Sequence, residues 1–84
     1  MRIPQRLTVG GRKIRVKYVE MKELGVADYE KGLILIKKNM KRSAQEAVFI
    51  HELFHHMNTT APHALLDSFA EQVYHVFKAN KLWK

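Results

Sequence analysis

A metal-binding motif lies past the middle of this 84-residue chain, where His51-Glu52-Leu53-Phe54-His55 reads HExxH. In a helix, His51 and His55 lie one turn apart on the same face. Two imidazoles placed in this way can bind one Zn²⁺ at about 2.0–2.1 Å. Glu52 then lies beside the metal, where it can take a proton from zinc-bound water. The motif therefore predicts zinc-dependent hydrolysis.

A catalytic zinc usually has three protein ligands and one water, so the two histidines need a further ligand. The next predicted helix carries Asp67 and Glu71, which are four residues apart and share one helix face. Antiparallel packing of the two helices brings both carboxylates within reach of the motif. Glu71 has the longer side chain and Asp67 lies nearer the turn. Both are candidate metal ligands, and the one that does not bind zinc can orient a ligating imidazole.

Four further side chains near the motif are polar and could take part in chemistry. We expect His75 to stabilise an oxyanion or to bond a carboxylate, and Tyr74 is a second candidate donor to the oxyanion. His56 points about 100° away from His55 around the helix, so it is not expected to be a ligand. His63 lies at the start of the second helix, where a neutral polar residue needs no special role.

Two helices position these residues. Ser43 and Glu46 have the spacing of a capping box and predict a helix over about residues 44–58. Residues 59–62 end that helix, and Pro62 favours the first turn of a second helix that runs to about Asn80. The second helix carries apolar residues at helical spacing, namely Leu65, Leu66, Phe69, Val73, Val76 and Phe77.

Two β-hairpins precede the helices. Apolar and basic residues alternate on both sides of Gly10-Gly11, which predicts a first hairpin with Ile14, Val16 and Tyr18 on its buried face. Residues 26–36 predict a second hairpin with its turn at Gly32. Its last four residues are all apolar, so we expect that strand to be buried on both faces. The fold class is α+β: a small N-terminal antiparallel sheet of two hairpins packed against the HExxH helix and a C-terminal helix.

The charge is distributed unevenly along what we interpret as a single domain, residues 1–84. Fifteen Lys and Arg oppose eight Asp and Glu, for a net charge of +7. Residues 1–43 form a basic β-sheet half, whereas residues 44–84 form a nearly neutral metal-binding helical hairpin. The basic half could attract nucleic acid or an acidic partner, although such alternation also suits an ordinary solvated sheet face. A non-catalytic basic binding module with a structural metal is therefore the alternative function.

The composition excludes several classes of protein. The chain has no Cys, which excludes a disulfide scaffold, thiol catalysis and thiolate metal sites. No apolar run approaches the roughly 20 residues needed to span a bilayer, and the N-terminus lacks the apolar stretch of a signal peptide. We therefore expect a cytoplasmic protein without membrane association. Trp83 is predicted to cover an edge of the core.

These features together resemble the gluzincin metallopeptidases. The likeness is greatest to their smallest members, the minigluzincins and the short phage-type metallopeptidases, and is more distant to the ImmA/IrrE-type peptidases. It extends over residues 7–80, and HExxH is its one highly specific part. The resemblance implies zinc held by His51 and His55, Glu52 as general base, a third ligand from the next helix and a peptide or protein substrate.

The chain departs from this family at the third ligand. In the short phage-type proteins, a Glu is expected two residues before the Phe69-Ala70 pair, and this chain has Asp67 there. Glu71 lies one helical turn later. Reach favours Glu71 and the resemblance favours Asp67, so both stay candidates.

Overall fold

The computed structural model describes residues 2–58 and 60–82, and its elements confirm the α+β class. Both helices begin and end within two residues of the predicted bounds. Trp83 lies outside the described residues. In chain order the elements are β1 (Arg6–Val9), β2 (Arg12–Val19), β3 (Gly25–Asp28), β4 (Leu33–Lys37), α1 (Arg42–Met57) and α2 (His63–Asn80).

The four strands form one sheet in the order β1-β2-β4-β3. Each hairpin is antiparallel, as predicted, but β2 and β4 pair in parallel, so the sheet as a whole is mixed. Residues 20–24 connect β2 to β3, which lies at the far edge of the sheet. β4 then fills the position between β3 and β2. The hydrophobic pattern within each hairpin does not specify how two hairpins pair, which is why the sequence did not predict the parallel pair.

One face of the sheet is covered by α1. Phe49 and Ile50 of α1 pack on the predicted apolar face, and Tyr18 is half-buried there. Leu33 and Leu35 on the opposite face are only half-buried, so the prediction that β4 is buried on both faces was wrong. The buried strand residues of the covered face are Ile14, Val16, Ile34 and Ile36.

The second helix packs mainly on α1 and buries a narrow stripe. This stripe consists of Leu66, Ala70 and Tyr74, each one turn after the last. The rest of the apolar set is less buried, because α2 has a single main neighbour and only one of its sides is covered. About half of the side-chain surface stays exposed at Leu65, Phe69 and Val76.

The predicted capping box does not form. The N-cap of α1 is Lys41, with no side-chain capping hydrogen bond, and Ser43 lies inside the helix. Glu46 faces α2 instead, with 1% of its surface exposed. Its Oε1 accepts hydrogen bonds from the Tyr74 hydroxyl and the Lys78 ammonium, both at 3.0 Å. A buried carboxylate needs such partners, and α2 supplies them.

The pKa of Glu46 reflects two opposing effects. Burial is the largest single effect and raises the pKa of this carboxyl, but the lowering effects, which include the hydrogen bonds from Lys78 and Tyr74 and the positive charge of Lys78, together leave the pKa below its ordinary value. Glu46 is therefore ionised at neutral pH and holds α2 against α1.

We expect Glu46→Gln to lower the free energy of unfolding at pH 7 by about 1–3 kcal/mol, because Lys78 loses its charge partner. The folded-state pKa is depressed, so this stabilisation is present above the ordinary pKa of 4.5 and is lost as the pH falls through the lower folded-state value. Acidification should therefore destabilise the wild type more than the variant. Urea unfolding across this pH range measures both effects.

The matched control is Glu23→Gln in an exposed loop, which should change the unfolding free energy by less than about 0.5 kcal/mol. Equal unfolding free energies for the two variants would contradict the role of Glu46.

Candidate metal centre

Side chains from both helices converge at one point. His51 and His55 project from α1, and their Nε2 atoms are 2.9 Å apart. Asp67 of α2 places Oδ1 at 2.7 Å from the first of these nitrogens and 3.5 Å from the second. Within residues 2–58 and 60–82, this is the one group of three or more metal-ligating side chains close enough to hold an ion.

The geometry of this cluster fits zinc. Tetrahedral zinc at about 2.0–2.1 Å from each ligand separates the ligand atoms by about 3.3–3.4 Å. The three observed separations lie on both sides of this value, so small side-chain rotations suffice. Two His and one carboxylate form a donor set that suits Zn²⁺.

The protonation of His55 is consistent with metal binding. Burial lowers the pKa of His55, and the neighbouring His51 and His63 lower it further, while Asp67 opposes them. A lowered pKa keeps the imidazole neutral at pH 7, and the neutral ring is the form that binds a metal.

Glu52 lies on the sheet side of the cluster, against the edge strand β3. Only 9% of its surface is exposed. A Cβ built on Gly25 of β3 would lie 2.4 Å from Val48 Cγ1 and 3.1 Å from Glu52 Oε2. Glycine at this position therefore lets the strand approach α1 and press on the Glu52 carboxylate.

The pKa of Glu52 is raised. Burial is the largest cause, and the negative charge of Asp67 adds to it, whereas His51 and His63 act in the opposite direction. A carboxyl whose pKa moves toward neutrality is better matched to general acid–base catalysis than an exposed one.

Two cavities adjoin the cluster. One, of about 370 Å³, is bordered by His51 and Asp67 and extends along α2 past Glu71 and His75. The other, of about 280 Å³, reaches the sheet and is lined by Ala27, Tyr29, Glu52, His55, His56 and His63. Glu52, the general-base candidate, thus lines the second cavity, whereas Asp67 lines the first.

The structure separates the two candidate carboxylates. Asp67 is in the cluster, whereas the side chain of Glu71 is 75% exposed and lies 3.9 Å from His75 Nε2. His75 itself is 70% exposed. The Tyr74 hydroxyl points toward Glu46 and is engaged there. Neither of the predicted oxyanion donors lines the cavity that contains Glu52.

His56 lies outside the cluster and contacts the sheet. It is buried, and its Nε2 donates a hydrogen bond of 2.7 Å to the Leu33 carbonyl oxygen of β4. This bond ties the end of α1 to the sheet and limits the rotation of the helix one residue after His55.

Sequence reasoning missed two residues at the site. The His63 ring lies 4.5 Å from that of His55, centroid to centroid. Its spacing of four residues from Asp67 was a usable signal, because it places both on one face of α2. Tyr29, in the β3–β4 turn, stacks on His56 with the ring centroids 6.2 Å apart. No local pattern predicts Tyr29, because it reaches the site through its contact with His56, which is distant in the sequence.

Comparisons with protein-family models, with curated proteins and with solved structures found no match to this chain. The gluzincin resemblance rests on the residues named above and stays a prediction. Across the part of the chain that the structure describes, neither helix has the length and apolar character required to cross a bilayer.

We expect Asp67→Asn to weaken zinc binding by more than the about 10–100-fold typical of an outer-shell partner, because a direct ligand is lost. Glu71→Gln should bind zinc like the wild type, since its carboxylate lies outside the cluster. Competition with a chromogenic chelator measures both affinities. Loss of zinc from Glu71→Gln, with binding retained in Asp67→Asn, would identify Glu71 as the ligand instead.

Proposed function

We propose that this protein is a zinc-dependent metallopeptidase in which His51, His55 and Asp67 hold the metal and Glu52 is the general base. The observation that carries the proposal is the buried Glu52 carboxylate, one residue after the first histidine of the cluster and open to a cavity. A purely structural metal site needs no buried carboxylate at that position.

Zinc in such a site supplies a Lewis acid for the peptide carbonyl and lowers the pKa of water toward ~7. The chain supplies the proton transfer. Glu52 takes the proton of the attacking water and returns it to the leaving amine. Burial raises the pKa of this carboxyl, which makes it a better proton acceptor than an exposed glutamate.

The edge strand β3 suggests how a peptide reaches Glu52. β3 is the outermost strand on the side of the sheet where Gly25 presses on Glu52, and Ala27 lines the cavity. An extended peptide can pair with the outer edge of β3 by β-augmentation. This places a backbone carbonyl of the substrate beside the Glu52 carboxylate. The other edge, β1, is separated from β3 by two strands and offers no such access.

His63 is better placed than His75 to stabilise an oxyanion. Its imidazole borders the same cavity as Glu52 and contacts the ring of His55. His75 borders the other cavity. We therefore assign to His63 the oxyanion role that the sequence suggested for His75.

We expect Glu52→Gln to lower kcat/KM by about 10²–10⁴-fold, because the amide cannot take a proton, while the protein still binds one zinc per chain. Cleavage of an unstructured protein such as denatured casein, measured beside zinc content, tests this. Glu71→Gln is the matched control and should cleave at the wild-type rate. Undiminished cleavage by zinc-loaded Glu52→Gln would contradict the role of Glu52, and a zinc-loaded wild type that cleaves nothing would favour the non-catalytic binding module.

A further inference from the structure

The sheet face opposite α1 carries a row of basic side chains. Alternation along the strands directs the exposed residues of β1 and β2 to this side, together with Lys37 of β4. Along β2 the cations recur at every second residue, about 6.6–6.8 Å apart. We call this surface the basic face, and it consists of Arg6, Lys13, Arg15, Lys17 and Lys37.

Within residues 2–58 and 60–82, no salt bridge neutralises the positive charges of the basic face. Arg6 and Arg15 are direct cross-strand partners, and like charges in this position repel each other. Among the described strand residues, Asp28 is the one carboxylate on this side, and its Oδ1 accepts the backbone N–H of Lys31. An ion pair within the described residues is found for none of the five cations of the basic face.

The basic face contains a concave site. A cavity of about 430 Å³ lies over the β1–β2 hairpin and the β3–β4 turn. Four cationic side chains line it, and its described lining includes no carboxylate. They are Arg6, Lys13, Arg15 and Lys31.

We propose that the basic face binds the phosphodiester backbone of a nucleic acid. Arginine forks match phosphate oxygens, and a row of cations matches a chain that carries one negative charge in every unit. The concave cavity admits a narrow chain, which a flat lipid surface cannot enter. An acidic peptide must order a flexible side chain at every contact, which costs conformational entropy. Phosphodiester charges belong to the backbone itself, so a nucleic acid avoids this cost.

The basic face also predicts the type of recognition. The described strands direct no aromatic side chain to this side, so base stacking is absent from the contact. Binding therefore depends on phosphate neutralisation, is insensitive to base sequence and weakens steeply with salt. The basic face lies across the sheet from α1, so an occupied basic face leaves His51 and His55 accessible.

The test uses a fluorescein-labelled single-stranded DNA of 20 nucleotides with the full chain, and anisotropy is measured at several salt concentrations. The test variant is Lys13→Gln/Arg15→Gln/Lys17→Gln, which removes the row on β2. The matched control is Lys22→Gln/Lys38→Gln/Lys41→Gln, three exposed lysines outside the strands with the same change in net charge. Zinc content and circular dichroism confirm that both variants fold.

We expect the test variant to bind at least 10-fold more weakly than the control, and its slope of log K against log salt to be shallower by about 2. Equal weakening in both variants, or no binding by the wild type at low salt, overturns the proposal. Binding to vesicles of phosphatidylcholine with 30% phosphatidylserine, or to polyglutamate, in preference to the DNA also overturns it. Because the readout is independent of cleavage, failure here is distinguishable from failure of the peptidase proposal.

Discussion

The buried carboxylate of Glu46 links the two helices, and the His51–His55–Asp67 cluster depends on their relative position. Its bonds to Tyr74 and Lys78 pair one end of α1 with the far end of α2. Seven residues forward from Glu46 along α1 and seven residues back from Tyr74 along α2 each cover about 10.5 Å on these antiparallel helices. This count places Asp67 of α2 opposite the position in α1 that lies midway between His51 and His55. A one-turn slip of α2 would bring Glu71 to that point instead.

A second constraint comes from the sheet. The absence of a side chain at Gly25 lets β3 lie against α1, and this contact buries Glu52. Burial raises the pKa of that carboxyl, and the histidines around it limit the increase. The bond from His56 to the Leu33 carbonyl anchors the same end of α1 to the neighbouring strand. Contacts from the sheet therefore shape the environment of Glu52 as much as the HExxH helix does.

The two faces of the sheet divide the molecule chemically. One face is apolar, packs on α1 and supports the His51–His55–Asp67 cluster, while the other carries cations for which the described residues show no ion pair. The uneven charge along the sequence becomes an uneven charge in space, because strand alternation sends Lys13, Arg15 and Lys17 of β2 to one side and Ile14, Val16 and Tyr18 to the other. The basic face and the His51–His55–Asp67 cluster therefore lie on opposite sides of the sheet.

The sequence by itself determined the features that follow from local backbone geometry. A spacing of four residues places His51 and His55 together in any helix, and period-two alternation predicts the hairpins and their buried face. Only the tertiary structure placed Asp67 rather than Glu71 beside His51 and His55, brought His63 to the cluster and paired β2 with β4 in parallel. Each of these depends on contacts between distant segments, and a one-turn slip or a different hairpin pairing leaves the local pattern unchanged. The energies that choose among such arrangements lie in side chains from both partners, so neither segment encodes them alone.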